Sequence, residues 1–330
     1  MKKYNVAIVG ATGLVGSTFI HVLEEYKFPV KSIKMLASKR SAGKKLLFNG
    51  NEYTVEELTE NSFEGIDLAL FSAGGDVSRK FAPIARSAGA RVIDNSSAWR
   101  QDKEIPLIVP EVNFSDYKMN KLIANPNCST IQSIIPLKAI DDAYGLTRVF
   151  YSTYQAVSGS GQKGKNDLEG CLNGDEPKFY PYNIAQTCIP EIDVFLDNGY
   201  TKEEIKMVNE TRKILHKPDL LVSATCVRVP VANSHGVSIM CEVEKEFDID
   251  DVKKTLANFP DIVVLDDNVN HIYPTSIVAN GTDKVYVGRI RKDLAQKNGL
   301  LFYCTADNIR KGAASNAVQI AMKLAEIDEM

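Results

Sequence analysis

The sequence has 330 residues, 44% hydrophobic and 25% charged, with a formal net charge of −3, which suits a globular protein of two domains. That charge gives no broad electrostatic case for nucleic acid or an anionic membrane, and no apolar run is long enough to span a bilayer. The six cysteines (Cys128, Cys171, Cys188, Cys226, Cys241 and Cys304) are scattered, with neither metal-ligand spacing nor a small-domain disulfide framework.

Met1-Lys2-Lys3 gives way at once to the buried-strand run Tyr4-Asn5-Val6-Ala7-Ile8-Val9. The expectation is therefore a chain without a leader peptide, in the reducing cytoplasm. Gly10-Ala11-Thr12-Gly13-Leu14-Val15-Gly16 follows, then a helical pattern over residues 17–26. Strand, glycine-rich turn and helix form the context of a dinucleotide-binding fingerprint, although G-x-x-G-x-x-G departs from its commonest spacing. Gly10 permits the tight turn, and Gly13 lets backbone approach a pyrophosphate at the helix N-terminus. Gly16 allows the helix to pack close to the strand. The next strand, 32–37, should end beside the adenosine ribose. An NAD site usually places a carboxylate there, whereas this chain has Ser38-Lys39-Arg40-Ser41-Ala42-Gly43-Lys44. Arg40 either pairs with a 2′-phosphate or belongs to a solvated basic loop, and the missing carboxylate favours NADP.

Residues 67–71 form another buried strand, ending in Ser72-Ala73-Gly74-Gly75, small residues suited to the ligand end of an open α/β sheet. A helix over 77–87 and strands over 91–94, 107–113 and 121–124 continue the alternation. Such repetition implies a doubly wound, mostly parallel sheet. Arg100, in a polar loop after a strand, either holds an anionic substrate group or is an ordinary surface arginine. Then comes Asn125-Pro126-Asn127-Cys128-Ser129-Thr130-Ile131-Gln132. Cys128 stands where a helix should begin. The unpaired N–H groups and partial positive charge of a helix N-terminus favour thiolate over thiol, making Cys128 a candidate nucleophile. The alternative is a small, buried apolar residue.

The rhythm changes after about residue 146. A long strand over 148–157 carries Gln155 near its end, either a substrate contact or an ordinary strand glutamine. Residues 158–164 read as a mobile loop able to reach a cofactor. Thr201 and Glu204 fit a capping box for a helix to about Leu215. On it, Glu203 and Lys206 share a face and read as a solvated surface pair. The strand over 221–231 contains Arg228, opposite in facing to Val227, Val229 and Val231. Its guanidinium needs a partner, a carboxylate ligand or a structural Asp or Glu. His235, in the turn Asn233-Ser234-His235-Gly236 before a strand over 237–243, either presents an acid–base group or is a plain turn residue. A helix over 250–258 and strands over 262–265, 285–290 and 300–304 make this part α+β. The last segment, 309–327, is an amphipathic helix with Ala313, Ala317, Ile320, Ala321 and Leu324 on its apolar face, expected to pack on the first domain.

Taken together and in order, these motifs resemble those of the aspartate-semialdehyde dehydrogenases along essentially the whole chain. The resemblance is carried by Gly10 to Gly16, Ser38-Lys39-Arg40-Ser41-Ala42-Gly43 and Asn125-Pro126-Asn127-Cys128-Ser129-Thr130. It continues through Gln155-Ala156-Val157-Ser158-Gly159, Glu203 to Lys206, Arg228-Val229-Pro230-Val231-Ala232-Asn233-Ser234-His235-Gly236 and Asp307-Asn308-Ile309-Arg310-Lys311-Gly312-Ala313-Ala314. It implies Cys128 as nucleophile, His235 as acid–base catalyst and Gln155 as the residue orienting an acyl intermediate. Arg228 is implied for the substrate α-carboxylate, Glu203 for its amino group, and Arg100, Asn127 and Lys206 for its phosphate. NADP is the implied cofactor. Its candidate site comprises Gly10, Thr12, Gly13, Leu14, Val15, Gly16, Ser38, Arg40, Ser41, Ser72, Ala73 and Gly74, with Ser158, Gly159 and Asn308.

The implied fold is α/β: an N-terminal Rossmann-like, doubly wound parallel sheet and a C-terminal α+β domain with a mixed or antiparallel sheet. An NADP-binding domain over 1–127, completed by the helix at about 309–330, precedes a catalytic and dimerisation domain over 128–308, and the assembly is a homodimer. The implied reaction is reductive dephosphorylation of L-aspartyl 4-phosphate to L-aspartate 4-semialdehyde through a Cys128 thioester. This step leads to lysine (through diaminopimelate), methionine, threonine and isoleucine. No metal, nucleic acid or membrane partner is expected. Two competing readings are N-acetyl-γ-glutamyl-phosphate reductase and a non-catalytic NADP-binding regulatory protein. Glu203 favours a substrate with a free amino group over an acetylated one.

Overall fold

The computed structural model describes residues 2–329. The chain forms two compact units, divided between Pro126 and Asn127 and again between Gly312 and Ala313.

In the first unit, β1 (Tyr4–Val9), α1 (Leu14–Glu25) and β2 (Val30–Ala37) open the fold. A hairpin of β3 (Lys45–Phe48) and β4 (Asn51–Thr54) and a two-residue β5 (Glu56–Glu57) follow, none of them read from the sequence. Then come β6 (Leu68–Phe71), α2 (Gly75–Ser87), β7 (Arg91–Asp94), the one-turn α3 (Pro110–Asn113) and β8 (Leu122–Ala124). Six strands lie in the order β5-β2-β1-β6-β7-β8, and every pairing is parallel. Strands β6 and β8 are buried at every position, as a parallel sheet covered on both faces requires. Phe19 and Leu23 of α1 share one core with Ile8, Leu70 and Ile93. Ala317, Ile320, Ala321 and Leu324 of the C-terminal helix (Ser315–Glu329) join that core, so the last helix packs on the first unit as its apolar face predicted. That helix starts later than expected, because residues Arg310–Ala314 form a π-turn.

Two local expectations fail here for identifiable reasons. Helix α1 begins at Leu14 rather than 17, because Gly13 already takes the extended N-cap conformation and its carbonyl accepts from Ser17 N at 2.9 Å. Residues 107–113 are not a sheet strand. Leu107 makes only an isolated bridge to Ala124, and Pro110, lacking an N–H, starts α3 instead. The Asn113 side chain accepts from Val109 N and donates to the Leu107 carbonyl, satisfying backbone that a strand would have paired.

The second unit starts with α4 (Cys128–Tyr144) and β9 (Leu146–Gln155), then α5 (Gln162–Leu172), α6 (Lys202–Ile214), β10 (Leu221–Arg228) and β11 (His235–Val243). It continues through α7 (Ile249–Ala257), β12 (Ile262–Val264), α8 (Ser276–Ala279), β13 (Val285–Lys292) and β14 (Gly299–Ala306). Its sheet is mixed, ordered β10-β9-β11-β14-β13-β12. Strands β9 and β10 are parallel, with Gln155 opposite Arg228, while β11 runs antiparallel to β9, with Gly236 opposite Tyr154. The carboxyl ends of two strands and the amino end of a third therefore meet at one end of the sheet. On β9 the residues Val149, Tyr151, Thr153 and Gln155 are buried and alternate with exposed Phe150 and Tyr154, so one face is core. Residues 158–164 are not an open loop. A 3₁₀ turn over Val157–Ser160 leads directly into α5.

Candidate active site

The first unit carries a cleft of about 450 Å³ at the carboxyl ends of β1, β2 and β6. Of the candidate cofactor residues, Gly10, Thr12, Gly13, Ser38, Arg40, Ser41, Ser72 and Ala73 line it. Leu14, Val15, Gly16 and Gly74 belong to the turns and helix starts around it. Gly10 has φ +86°, and a Cβ there would stand 2.5 Å from the Ser72 carbonyl oxygen. No side chain caps α1, so Gly13 leaves the amino end of that helix for a ligand. Glu57, which sequence reading missed, also lines the cleft; the two-residue β5 that carries it gave no periodic signal. Arg100 also lies in this unit, buried, its Nε donating to the Asn125 carbonyl at 2.9 Å and its Nη2 to that of Asn95 at 2.9 Å.

In the second unit Cys128 is the first residue of α4, as the sequence predicted. Asn127 is the N-cap, and its Oδ1 accepts from Ser129 N at 2.9 Å and Thr130 N at 3.3 Å. Its Nδ2 donates to Glu203 Oε1 at 2.9 Å. The same carboxylate accepts from Gln155 Nε2 at 3.3 Å and is paired through Oε2 with Lys206 Nζ at 3.1 Å. Glu203 is only 5% exposed, so the expectation of a solvated surface pair with Lys206 is overturned. The 203–206 face of α6 is covered by the turn at Asn127 and by the end of β9. Burial disfavours the Lys206 ammonium, yet Glu203 and Asp193 beside it hold its pKa above the ordinary lysine value.

Arg228 and His235 close this group. Arg228 is 4% exposed; its Nη1 donates to the Ala156 carbonyl at 2.7 Å, and its buried Nε has no protein partner. A backbone carbonyl thus takes the place expected for a structural Asp or Glu. His235 is the first residue of β11 rather than part of the turn, and is fully buried. Its Nδ1 accepts from Ala156 N at 2.9 Å. Its carbonyl accepts from Gln132 Nε2 of α4 at 3.1 Å and from Thr305 Oγ1 at 2.8 Å. Burial, with the Arg228 guanidinium nearby, holds the imidazole pKa well below 6.5, so the ring is neutral at pH 7. With Nδ1 as acceptor, the proton sits on Nε2, which has no protein hydrogen-bond partner. A Cβ on Gly159 would lie 2.9 Å from Arg228 Nη1 and 3.2 Å from His235 Nε2, so both groups face one small space. Ser158 and Asn308 are buried and hydrogen-bonded to each other, Nδ2 to Oγ at 3.0 Å, and Asn308 Oδ1 accepts from Ser234 N at 2.9 Å. Sequence reading missed Gln132 and Thr305, which hold the His235 backbone, because nothing short of the fold places them beside β11.

Residues 5–120 match the semialdehyde dehydrogenase NAD-binding domain, and residues 137–311 match the semialdehyde dehydrogenase dimerisation domain. An aspartate-semialdehyde dehydrogenase of Aquifex aeolicus is 54% identical, over 96% of this chain and 97% of its own. The chain belongs to the aspartate-semialdehyde dehydrogenase family. Among solved structures, aspartate-semialdehyde dehydrogenase II of Vibrio cholerae complexed with ASA is similar at a TM-score of 0.95 and 46% identity, over 99% of each chain. Aspartate-semialdehyde dehydrogenase with NADP from Candida albicans is similar at a TM-score of 0.79 and 25% identity, over 97% of this chain and 98% of its own.

Within this family member the cysteines separate by environment. Burial pushes the Cys226 and Cys241 thiols far up and that of Cys304 up to about 12, which leaves them unreactive. Cys188 is exposed on an irregular segment. Only Cys128 combines partial exposure with a helix N-terminus. Gly312 sits against it: a Cβ there would come 2.8 Å from Cys128 Cβ, so the π-turn over Arg310–Ala314 keeps room beside the sulfur-bearing residue. No helix is long and apolar enough to cross a membrane among the described residues.

Proposed function

We propose that the chain reduces L-aspartyl 4-phosphate to L-aspartate 4-semialdehyde with NADPH, releasing phosphate, on the route to lysine, methionine, threonine and isoleucine. One observation carries this reading. Gln155, Arg228 and His235 converge at one end of the sheet, and the His235 carbonyl accepts from Gln132 of the helix that begins at Cys128.

The cleft fits a dinucleotide. Gly10, Thr12 and Gly13 would hold the pyrophosphate, and Ser38, Arg40 and Ser41 a ribose 2′-phosphate. When bound, the reduced nicotinamide supplies the hydride. Cys128 attacks the acyl carbon as a thiolate, a C–S bond forms, the C–O bond to phosphate breaks, and phosphate departs, leaving a thioester. Sulfur both attacks and leaves readily, which divides one difficult step into two. Arg228 takes the substrate α-carboxylate and Glu203 its ammonium group; Gln155, tied to Glu203, orients the acyl group. Arg100, Asn127 and Lys206 serve the phosphate. His235 is the acid–base catalyst. In the tautomer fixed by Ala156 it enters the cycle as a donor from Nε2, toward the oxygen that gains negative charge. Thiolate is then expelled as the aldehyde carbonyl forms.

The first unit is the NADP-binding domain and the second the catalytic and dimerisation domain of a cytoplasmic homodimer. The match of residues 137–311 supports dimerisation through the second unit, as do Phe150, Tyr154 and Leu221, exposed on the face of its sheet opposite the site. NADP preference rests on Arg40 and the serines, against Glu57, which also lines the cleft.

The test is phosphate-dependent oxidation of aspartate semialdehyde, followed as NADPH absorbance. Turnover with NADP, exceeding that with NAD, is expected, and Cys128→Ala should lower kcat by roughly 10⁴–10⁶-fold. Activity restricted to N-acetylglutamate semialdehyde, or full activity in Cys128→Ala, would overturn the reading. A preference for NAD would overturn the role given to Arg40.

A further inference from the structure

Helix α6 grips the turn that carries Cys128. Residues 203, 207 and 210 form one stripe of that helix, spaced by four and three. All three meet the amino end of α4. Glu203 Oε1 accepts from Asn127 Nδ2 at 2.9 Å, and Met207 Sδ accepts from Thr130 Oγ1 at 3.5 Å. Glu210 Oε2 accepts from the backbone N–H of Asn127 at 2.7 Å. Asn127 also uses its Oδ1 within α4, so the residue before Cys128 is fixed at its backbone nitrogen and at both ends of its amide. Glu210 is fully buried and lies one turn beyond the segment that gave α6 its functional signal.

We infer that Glu210 is a positioning residue for Cys128. Its carboxylate fixes the Asn127 N–H by a charge-assisted bond, and so fixes the direction from which α4 presents the sulfur. Glu203 acts on the side chain of Asn127, whereas Glu210 acts on its backbone, and the two are not redundant. Removing the Glu210 acceptor leaves a buried N–H to find another partner, and the turn shifts to provide one. A displacement of about 1 Å at the nucleophile lowers the rate of attack roughly a hundredfold while leaving substrate binding in place. The inference rests on the reading of Cys128 as nucleophile.

The experiment compares Glu210→Ala, Glu210→Asp and Glu210→Gln in the phosphate-dependent assay, with melting temperatures measured in parallel. Alanine removes the acceptor, aspartate withdraws it by one methylene, and glutamine retains an acceptor oxygen. Thr211→Val is the structural control. It breaks the 2.8 Å bond from Thr211 Oγ1, on the same helix as Glu210, to the Tyr151 hydroxyl of β9, without touching Asn127. The expected result is a kcat loss of roughly tenfold to a hundredfold in the alanine and aspartate variants, with KM for aspartate semialdehyde unchanged. Glutamine should restore most of kcat, and Thr211→Val should lower the melting temperature without lowering kcat. If Glu210→Ala does not fold, the aspartate and glutamine variants decide alone. Wild-type kcat in the aspartate variant, or an equal kcat loss in Thr211→Val, would overturn the inference. Full turnover in Cys128→Ala would instead overturn the nucleophile itself, so the two failures are distinguishable.

Discussion

In the first unit the cleft lies at the ends of three parallel strands, and small residues, among them Gly10, Thr12, Gly13, Ser38, Ser41, Ser72 and Ala73, make up much of its lining. In the second, the polar site is made of long, buried side chains: Glu203 and Lys206 from α6, Gln155 from β9, Arg228 from β10 and His235 from β11. The phosphates of a dinucleotide can be cradled by N–H groups at a helix start, so the central part of such a site comes from one strand–turn–helix segment, with neighbouring strand ends adding the rest. Covalent chemistry on a small dianionic substrate needs opposed charges, a donor and a nucleophile held at once. No single segment can present all of these: the register of the mixed sheet brings Gln155, Arg228 and His235 together, and hydrogen bonds to Asn127 and Gln155 bring in Glu203 of α6.

The difference predicts unequal responses to substitution. His235→Ala removes the Nε2 donor and should lower kcat by roughly 10²–10⁴-fold while leaving NADPH affinity unchanged; stopped-flow turnover and cofactor titration measure the two separately. The buried imidazole also sets a pH dependence of stability. Its folded pKa lies well below 6.5, so the unfolded chain binds the proton more readily. Stability from this group is complete above about pH 6.5, is lost as pH falls below that, and stops falling once pH passes the folded value. His235→Gln should flatten that acid limb in a melting-temperature series; an unaltered limb would mean that the ring is not held neutral.

Next in size, Gly10→Ala forces a Cβ to 2.5 Å from the Ser72 carbonyl at φ +86°. It should cost about 1–3 kcal/mol of local strain and weaken NADPH binding at least about tenfold. Alkylation of Cys128 by iodoacetamide should proceed as in the wild type. Equal loss of both would dissolve the distinction between the two sites. Smallest is Asp248→Ala, which removes the cap bond to Asp250 N at 2.8 Å on α7, away from either site. A loss of about 1 kcal/mol in stability with kcat unchanged is expected from thermal melts and the standard assay.

The same contrast explains what could be read in advance. The positions of the glycine turn and Ser72 were legible because each stands in a strand–turn–helix segment whose local pattern fixes its place, and that of Arg40 because it closely follows the strand β2. Cys128 was legible for the same reason, lying at the join between β8 and α4. Arg228 could be seen to need a partner, but not that a carbonyl of the neighbouring strand end would provide it. Glu203 and Lys206 looked like a surface pair because helical spacing reports which residues share a face, not what covers that face. Glu210 and Gln132 lie beyond local reading altogether: their partners Asn127 and His235 are 83 and 103 residues away in sequence. Helix α5 was hidden by its glycines and polar start, and residues 107–113 looked like a strand until Pro110 and Asn113 redirected their hydrogen bonds.

The most direct test of Cys128 is a single-turnover experiment without phosphate. The enzyme is mixed with NADP and excess aspartate semialdehyde, NADPH absorbance is followed by stopped flow, and the quenched protein is mapped by mass spectrometry. A burst of one NADPH per subunit, with an aspartyl thioester on Cys128 and neither burst nor adduct in Cys128→Ala, is the predicted result. An adduct on any other residue, or a burst that survives Cys128→Ala, would contradict it.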